Sequence, residues 1–115
     1  VILLIIAHIV GMQGLYYTNF FYDDILHLWG GIAISAFAFY LFPKIKIKTK
    51  LVNILIMVFL VALLWEAHEY VWDFFLVAKY NFAVMQLGCW DTLSDLMFAL
   101  LGGIIYFVFN KKNID

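Results

Sequence analysis

Four apolar stretches, at about residues 1–18, 24–42, 51–77 and 91–110, make up most of this 115-residue chain. A helix needs about 20 predominantly apolar residues to cross the ~30 Å hydrocarbon core of a bilayer, and the stretches are close to or above that length. They are continuous rather than alternating, which favours helices over a membrane β-barrel. Composition agrees: 67% of the residues are hydrophobic and 13% charged, whereas soluble domains are near half apolar and a quarter charged. Such a chain has too little polar surface to cover a globule in water. The expected fold is all-α: a polytopic membrane protein whose residues 1–115 form a single transmembrane domain, a four-helix bundle. The 51–77 stretch is longer than a crossing needs, so one end should project or tilt. Pro43 is expected to stop the second helix.

Loop charge sets the expected orientation. Lys44, Lys46, Lys48 and Lys50 lie between the second and third spans, and Lys111 and Lys112 follow the fourth. Positive residues stay on the cytoplasmic side, which places both termini in the cytoplasm. Connections 19–23 and 78–90 then face outward. The localisation that follows is integral to the cytoplasmic (inner) membrane. The start at Val1 lacks the basic region and cleavage site of a signal peptide, so an upstream segment is left open. Net charge is −1, which gives no basic face for nucleic acid. The single cysteine, Cys89, rules out an internal disulfide framework.

Against this apolar background, seven of the eight acids fall toward the expected outer side: Asp23, Asp24, Glu66, Glu69, Asp73, Asp91 and Asp95. Ionisable groups in membrane spans are costly and mark function by default. At 1.5 Å of rise per residue, Glu66 lies ~22 Å from the cytoplasmic edge, Asp95 ~6 Å below the outer edge and His27 ~4.5 Å below it. Three helices thus bring polar groups to nearly one level. Helical phase agrees: Glu66 and Glu69 are ~60° apart, Asp91 and Asp95 ~40°, and Asp24 and His27 ~60°. Asp73 projects onto the same face as Glu66, and His68 faces elsewhere.

Carboxylates so close cannot all remain ionised without protons or a cation among them. A divalent metal is the simplest counter-ion, with His27, Glu66, Glu69, Asp91 and Asp95 as its expected ligands. One nitrogen and several oxygens suit Mg, Mn or Fe at least as well as Zn. Glu66, Glu69 and Asp24 are the candidate catalytic residues. His8 reads as a buried, hydrogen-bonded histidine or an inner ligand, and Gln13 as a helix–helix contact or a partner of the acids. Gly30-Gly31 and Gly102-Gly103 read as close-packing devices. Trp29, Trp65 and Trp72 read as packing or interfacial residues.

Several of these residues form familiar blocks. Tyr22-Asp23-Asp24 with His27 and Gly30-Gly31, Glu66-x-x-Glu69, and Trp90-Asp91-Thr92-x-Ser94-Asp95 followed by Ala99-Leu100-Leu101-Gly102 resemble the YjdF-like family of predicted inner-membrane proteins. The arrangement is more loosely similar to VanZ-like membrane proteins, but lacks the arginine common in their motifs. The resemblance implies a polytopic inner-membrane protein with this polar cluster, and it names no reaction.

Three functional readings stay open. The first is a metal-dependent hydrolase or transferase acting on a lipid headgroup or lipid-linked substrate. The second is a non-catalytic membrane module that uses the cluster as a structural lock or ligand pocket. The third is a proton or cation transporter, against which stand the nearly apolar stretches 32–42, 54–64 and 104–109. The expected partners are the bilayer and a lipid headgroup or lipid-linked substrate. Assembly into a homo-oligomer is left open.

Overall fold

A computed structural model describes residues 2–11, 21–80, 84–85 and 87–113. These residues form α1 (Ile2–Val10), α2 (Tyr22–Lys44), α3 (Leu51–Trp72) and α4 (Cys89–Asn110), with no strand among them. A π-helical turn, Asp73–Val77, and a short helical turn, Ala78–Tyr80, extend α3. Helices Tyr22–Lys44, Leu51–Val77 and Cys89–Asn110 are each long and apolar enough to cross a bilayer. Of the expected first span, α1 is the described part. The rest of that span, with Gln13, lies outside the described residues.

Each long helix buries one narrow stripe. On α2 it comprises Asp23, Asp24, His27, Gly31, Ser35, Ala38 and Phe42. On α3 it is Ile54, Val58, Ala62, Glu66 and Glu69, and on α4 it is Asp95, Ala99, Gly102 and Gly103. The three- and four-residue steps keep each stripe on one face. Apolar members pack at one end of the bundle, and the acids continue the same stripes at the other. The remaining faces are apolar too, as a lipid-facing surface requires.

Glycine sets the closest helix contact. A Cβ on Gly31 would collide with the Ala99 carbonyl, and one on Gly102 with the Leu28 carbonyl, so the α2 and α4 backbones touch there. Such small-residue contacts are how membrane helices pack without a hydrophobic drive between them. His27 faces Asp95, Gly31 faces Ala99 and Ser35 faces Gly103. This even register makes α2 and α4 parallel. Glu66 faces His27 and Val58 approaches Gly103, so α3 runs antiparallel between them. Lys44–Lys50 and Lys111–Lys112 consequently gather at the end away from the acids.

The helix ends depart from the sequence expectation in instructive ways. Pro43 does not stop α2, which runs through Lys44. Proline in a last turn forfeits one backbone hydrogen bond, and its carbonyl still accepts. The stop comes just afterwards. Lys46 adopts φ 59°, and Ile47 N–H reaches Phe42 O at 2.9 Å while Lys46 N–H reaches Pro43 O at 3.3 Å. That is a Schellman cap with lysine where glycine is usual. Helix α2 also starts at Tyr22 and α4 at Cys89, two residues earlier than expected in each case. At the start of α4 the Asp91 carboxylate reaches back to accept Leu87 N–H at 3.3 Å, which ties the residue before the N-cap to the first turn.

Candidate functional site

The acid end of the three stripes is a compact cluster. His27 Nε2 sits at its centre, 3.6 Å from Asp23 Oδ1, 3.6 Å from Glu66 Oε1 and 3.9 Å from Asp95 Oδ1. Glu69 and Asp95 are each 1% exposed, Glu66 4% and Asp23 8%. Asp91 is half-buried on the first turn of α4. Donor atoms from three sets lie mutually within 4.8 Å: Asp23, His27 and Glu69; His27, Glu66 and Asp95; and Asp23, Asp91 and Asp95. One chain supplies all of them.

Some carboxylate oxygens are taken by donors. Trp65 Nε1 donates to Glu69 Oε1 at 2.8 Å, and Ser94 Oγ donates to Asp24 Oδ1 at 2.7 Å. Others are not. Among the described residues, Asp23 Oδ2, Glu69 Oε2 and both oxygens of Asp95 are buried and find no hydrogen-bond donor. A buried ionised carboxylate without compensation costs several kcal/mol, so this cluster calls for protons or a cation.

These residues could hold a cation. Contacts of 3.6–3.9 Å are too long for hydrogen bonds. Metal–ligand bonds of about 2.1 Å place neighbouring ligand atoms of a tetrahedron about 3.4 Å apart. The donor set, one imidazole among carboxylates, suits Mn, Fe or Zn and, through its oxygens, Mg.

All five expected metal ligands occur in these groups. Asp23, in the expected 19–23 connection by sequence, joins them. Because α2 begins at Tyr22, Asp23 lies one turn before His27 on the same face. The i, i+4 spacing of Asp23 and His27 was the available signal. The candidate catalytic residues Glu66 and Glu69 lie inside the cluster. Asp24 is beside it, held by Ser94 and absent from the three donor sets.

Other polar residues go elsewhere. Asp73, where the helix passes into its π turn, lies outside the three donor sets and its carboxylate accepts Met85 N–H at 2.8 Å. The Met85 side chain is buried, at 2% exposure. His68 is exposed between Trp65 and Trp72, with ring centroids 5.5 and 6.2 Å away. His8 is half-buried, its ring edge-on to Trp65 at 4.7 Å rather than in the acid cluster. Nearby, Tyr22 OH donates to Ala7 O at 2.7 Å and ties α1 to the start of α2.

Fold and site together define an all-helical membrane protein with a buried acid–histidine cluster at one end. The model of the family described as predicted membrane protein (DUF2238) matches residues 1–113, and the chain belongs to that family. This membership is consistent with the YjdF-like resemblance. No curated protein and no solved structure matches the chain.

Proposed function

We propose that the protein is a metal-dependent hydrolase or transferase acting on lipid headgroups or lipid-linked substrates at the outer face of the cytoplasmic membrane. The observation that carries this reading is that Asp23, Glu69 and Asp95, whose donor atoms group with those of His27, keep buried oxygens with no donor among the described residues. Orientation rests on the lysines, which lie at the opposite end of the bundle and belong on the cytoplasmic side.

His27, Glu66 and Asp95 would hold a divalent ion, with Asp23 and Glu69 completing its surroundings and Asp91 at the rim. Bound there, the ion supplies Lewis-acid polarisation of an ester or phosphoester and an activated water. Trp65 fixes Glu69 through Oε1 and leaves Oε2 to accept a proton as general base. Glu66 faces His27 and is the alternative base. Asp24, held by Ser94, passes protons between the cluster and outside water. The interior between cluster and lysine end, built on Ile54, Val58, Ala38 and Phe42, disfavours a conducting path.

One set of observations favours a structural lock instead. The Trp65–Glu69 and Ser94–Asp24 hydrogen bonds would fix side chains and helix register in a non-catalytic module as well. Activity separates the two readings. The full chain, reconstituted in vesicles of phosphatidylglycerol and phosphatidylethanolamine, is supplied with Mn, Mg or Zn and assayed for released headgroups by mass spectrometry. The enzymatic reading expects chelator-sensitive release that Glu69→Gln abolishes while the variant still folds. Folded, metal-loaded protein that leaves every headgroup intact would favour the lock.

A further inference from the structure

Beside the cluster, a groove of about 360 Å³ opens between α1, α2 and α3. Its polar end is formed by His8, Asp23 and His27, and it continues along Ile34, Phe37 and Met57. From His27 to Phe37 is ten residues of helix, ~15 Å. That equals half of a ~30 Å hydrocarbon core, the depth of one leaflet's chains.

Two features suit this groove to a hydrocarbon chain. Ile5 and Phe37 on its walls are 50% and 51% exposed, so it opens sideways to the bilayer. Gly30 also lines it, and a Cβ there would meet nothing within 4 Å. Close packing demands glycine at Gly31 but not at Gly30; the absent side chain at Gly30 leaves the groove its width. An apolar cavity has too few polar partners to hold ordered water, and its volume falls in the range of small-molecule sites.

We infer that the groove binds the acyl chain of a phospholipid, with the phosphate-bearing headgroup at its Asp23–His27 end, beside the acid cluster. Apolar walls take the tail, and a cation among the acids would take a phosphate oxygen. The headgroup half rests on the metal-site reading, while the tail half stands on the groove alone.

The test uses the full chain in phosphatidylglycerol nanodiscs doped with a phosphatidylglycerol that carries a diazirine at mid-chain. Cross-linked residues are mapped by mass spectrometry. The expected cross-links concentrate on Ile34 and Met57 over Leu64 and Phe109, which are exposed outside the groove. Gly30→Leu should fill the groove and cut the Ile34 and Met57 signals about tenfold, the effect of ~1.4 kcal/mol. It should leave the Leu64 signal and the metal content unchanged. Ala33→Leu, from the same wall, gives an independent second variant. Even labelling of all four positions, or a groove signal indifferent to both variants, would overturn the inference. Groove labelling on a chain that takes up no metal would uphold the tail site and sink the metal-dependent reading. Metal uptake without groove labelling would do the reverse.

Discussion

Glu66 on α3 brings its Oε1 to 3.6 Å from Nε2 of His27 on α2, across an interface that is otherwise apolar toward the lysine end. The pair is too far apart to share a proton directly and close enough to share an ion. Stability should therefore be linked to metal. At a hundredfold excess of metal over Kd, binding to the folded state alone adds about 2.7 kcal/mol. Thermal unfolding in detergent should show the wild type lose that increment on chelation. Asp95→Asn should lose almost nothing, and without metal it should be the more stable protein, because an amide replaces an uncompensated carboxylate. Equal chelator sensitivity in both proteins would break the link.

Metal affinity should also fall with acidity. Ligand carboxylates and imidazole must be deprotonated to bind, so binding releases protons. Titration of Mn or Zn into the chelated protein should give a weaker Kd at about pH 5 than at about pH 8, together with measurable proton release. A pH-independent Kd would mean that the ion is held by other groups.

The α2–α4 contact should control the site from a distance. Gly31→Ala and Gly102→Ala place a methyl against facing backbone and should each cost about 1–3 kcal/mol. They should also weaken metal binding, because Asp95 and His27 sit on the two helices they push apart. Gly30→Ala should be neutral or stabilising, by up to about 1 kcal/mol of helix propensity. Melting temperatures and metal titrations of the three variants check this order.

Orientation has a built-in reporter. Cys89 is the sole cysteine and is exposed at the acid end of the bundle. A membrane-impermeant maleimide should label it on intact cells, before lysis. Labelling confined to inverted vesicles would place the cluster on the cytoplasmic side and reverse the lysine-based topology.

Much of this was legible because one helical rise and one helical phase govern the long spans. His27, Glu66 and Asp95 could be levelled by counting residues, and Glu66 and Glu69 share a face as their three-residue spacing requires. Counting does not reach the contacts that the connections make, nor the point where a helix starts. Asp73 keeps α phase with Glu66, yet its carboxylate is taken by Met85 N–H from the following connection, a contact that no helical count foresees. Asp23 falls in a connection by sequence because the start of α2 has no side-chain cap to mark it in an apolar chain. Gly30 and Gly31 are identical in sequence, and only the facing Ala99 carbonyl tells the packing glycine from the one that borders the groove.

Elemental analysis tests the metal centre most directly. The wild-type chain, purified without chelator, should carry about one divalent ion per chain, as an ion held by the His27–Glu66–Asp95 set implies. His27→Ala should carry almost none, and Asp24→Asn, outside the three donor sets, should keep the wild-type content. Metal-free wild-type protein that stays empty when Mn, Fe, Mg or Zn is added would contradict the account.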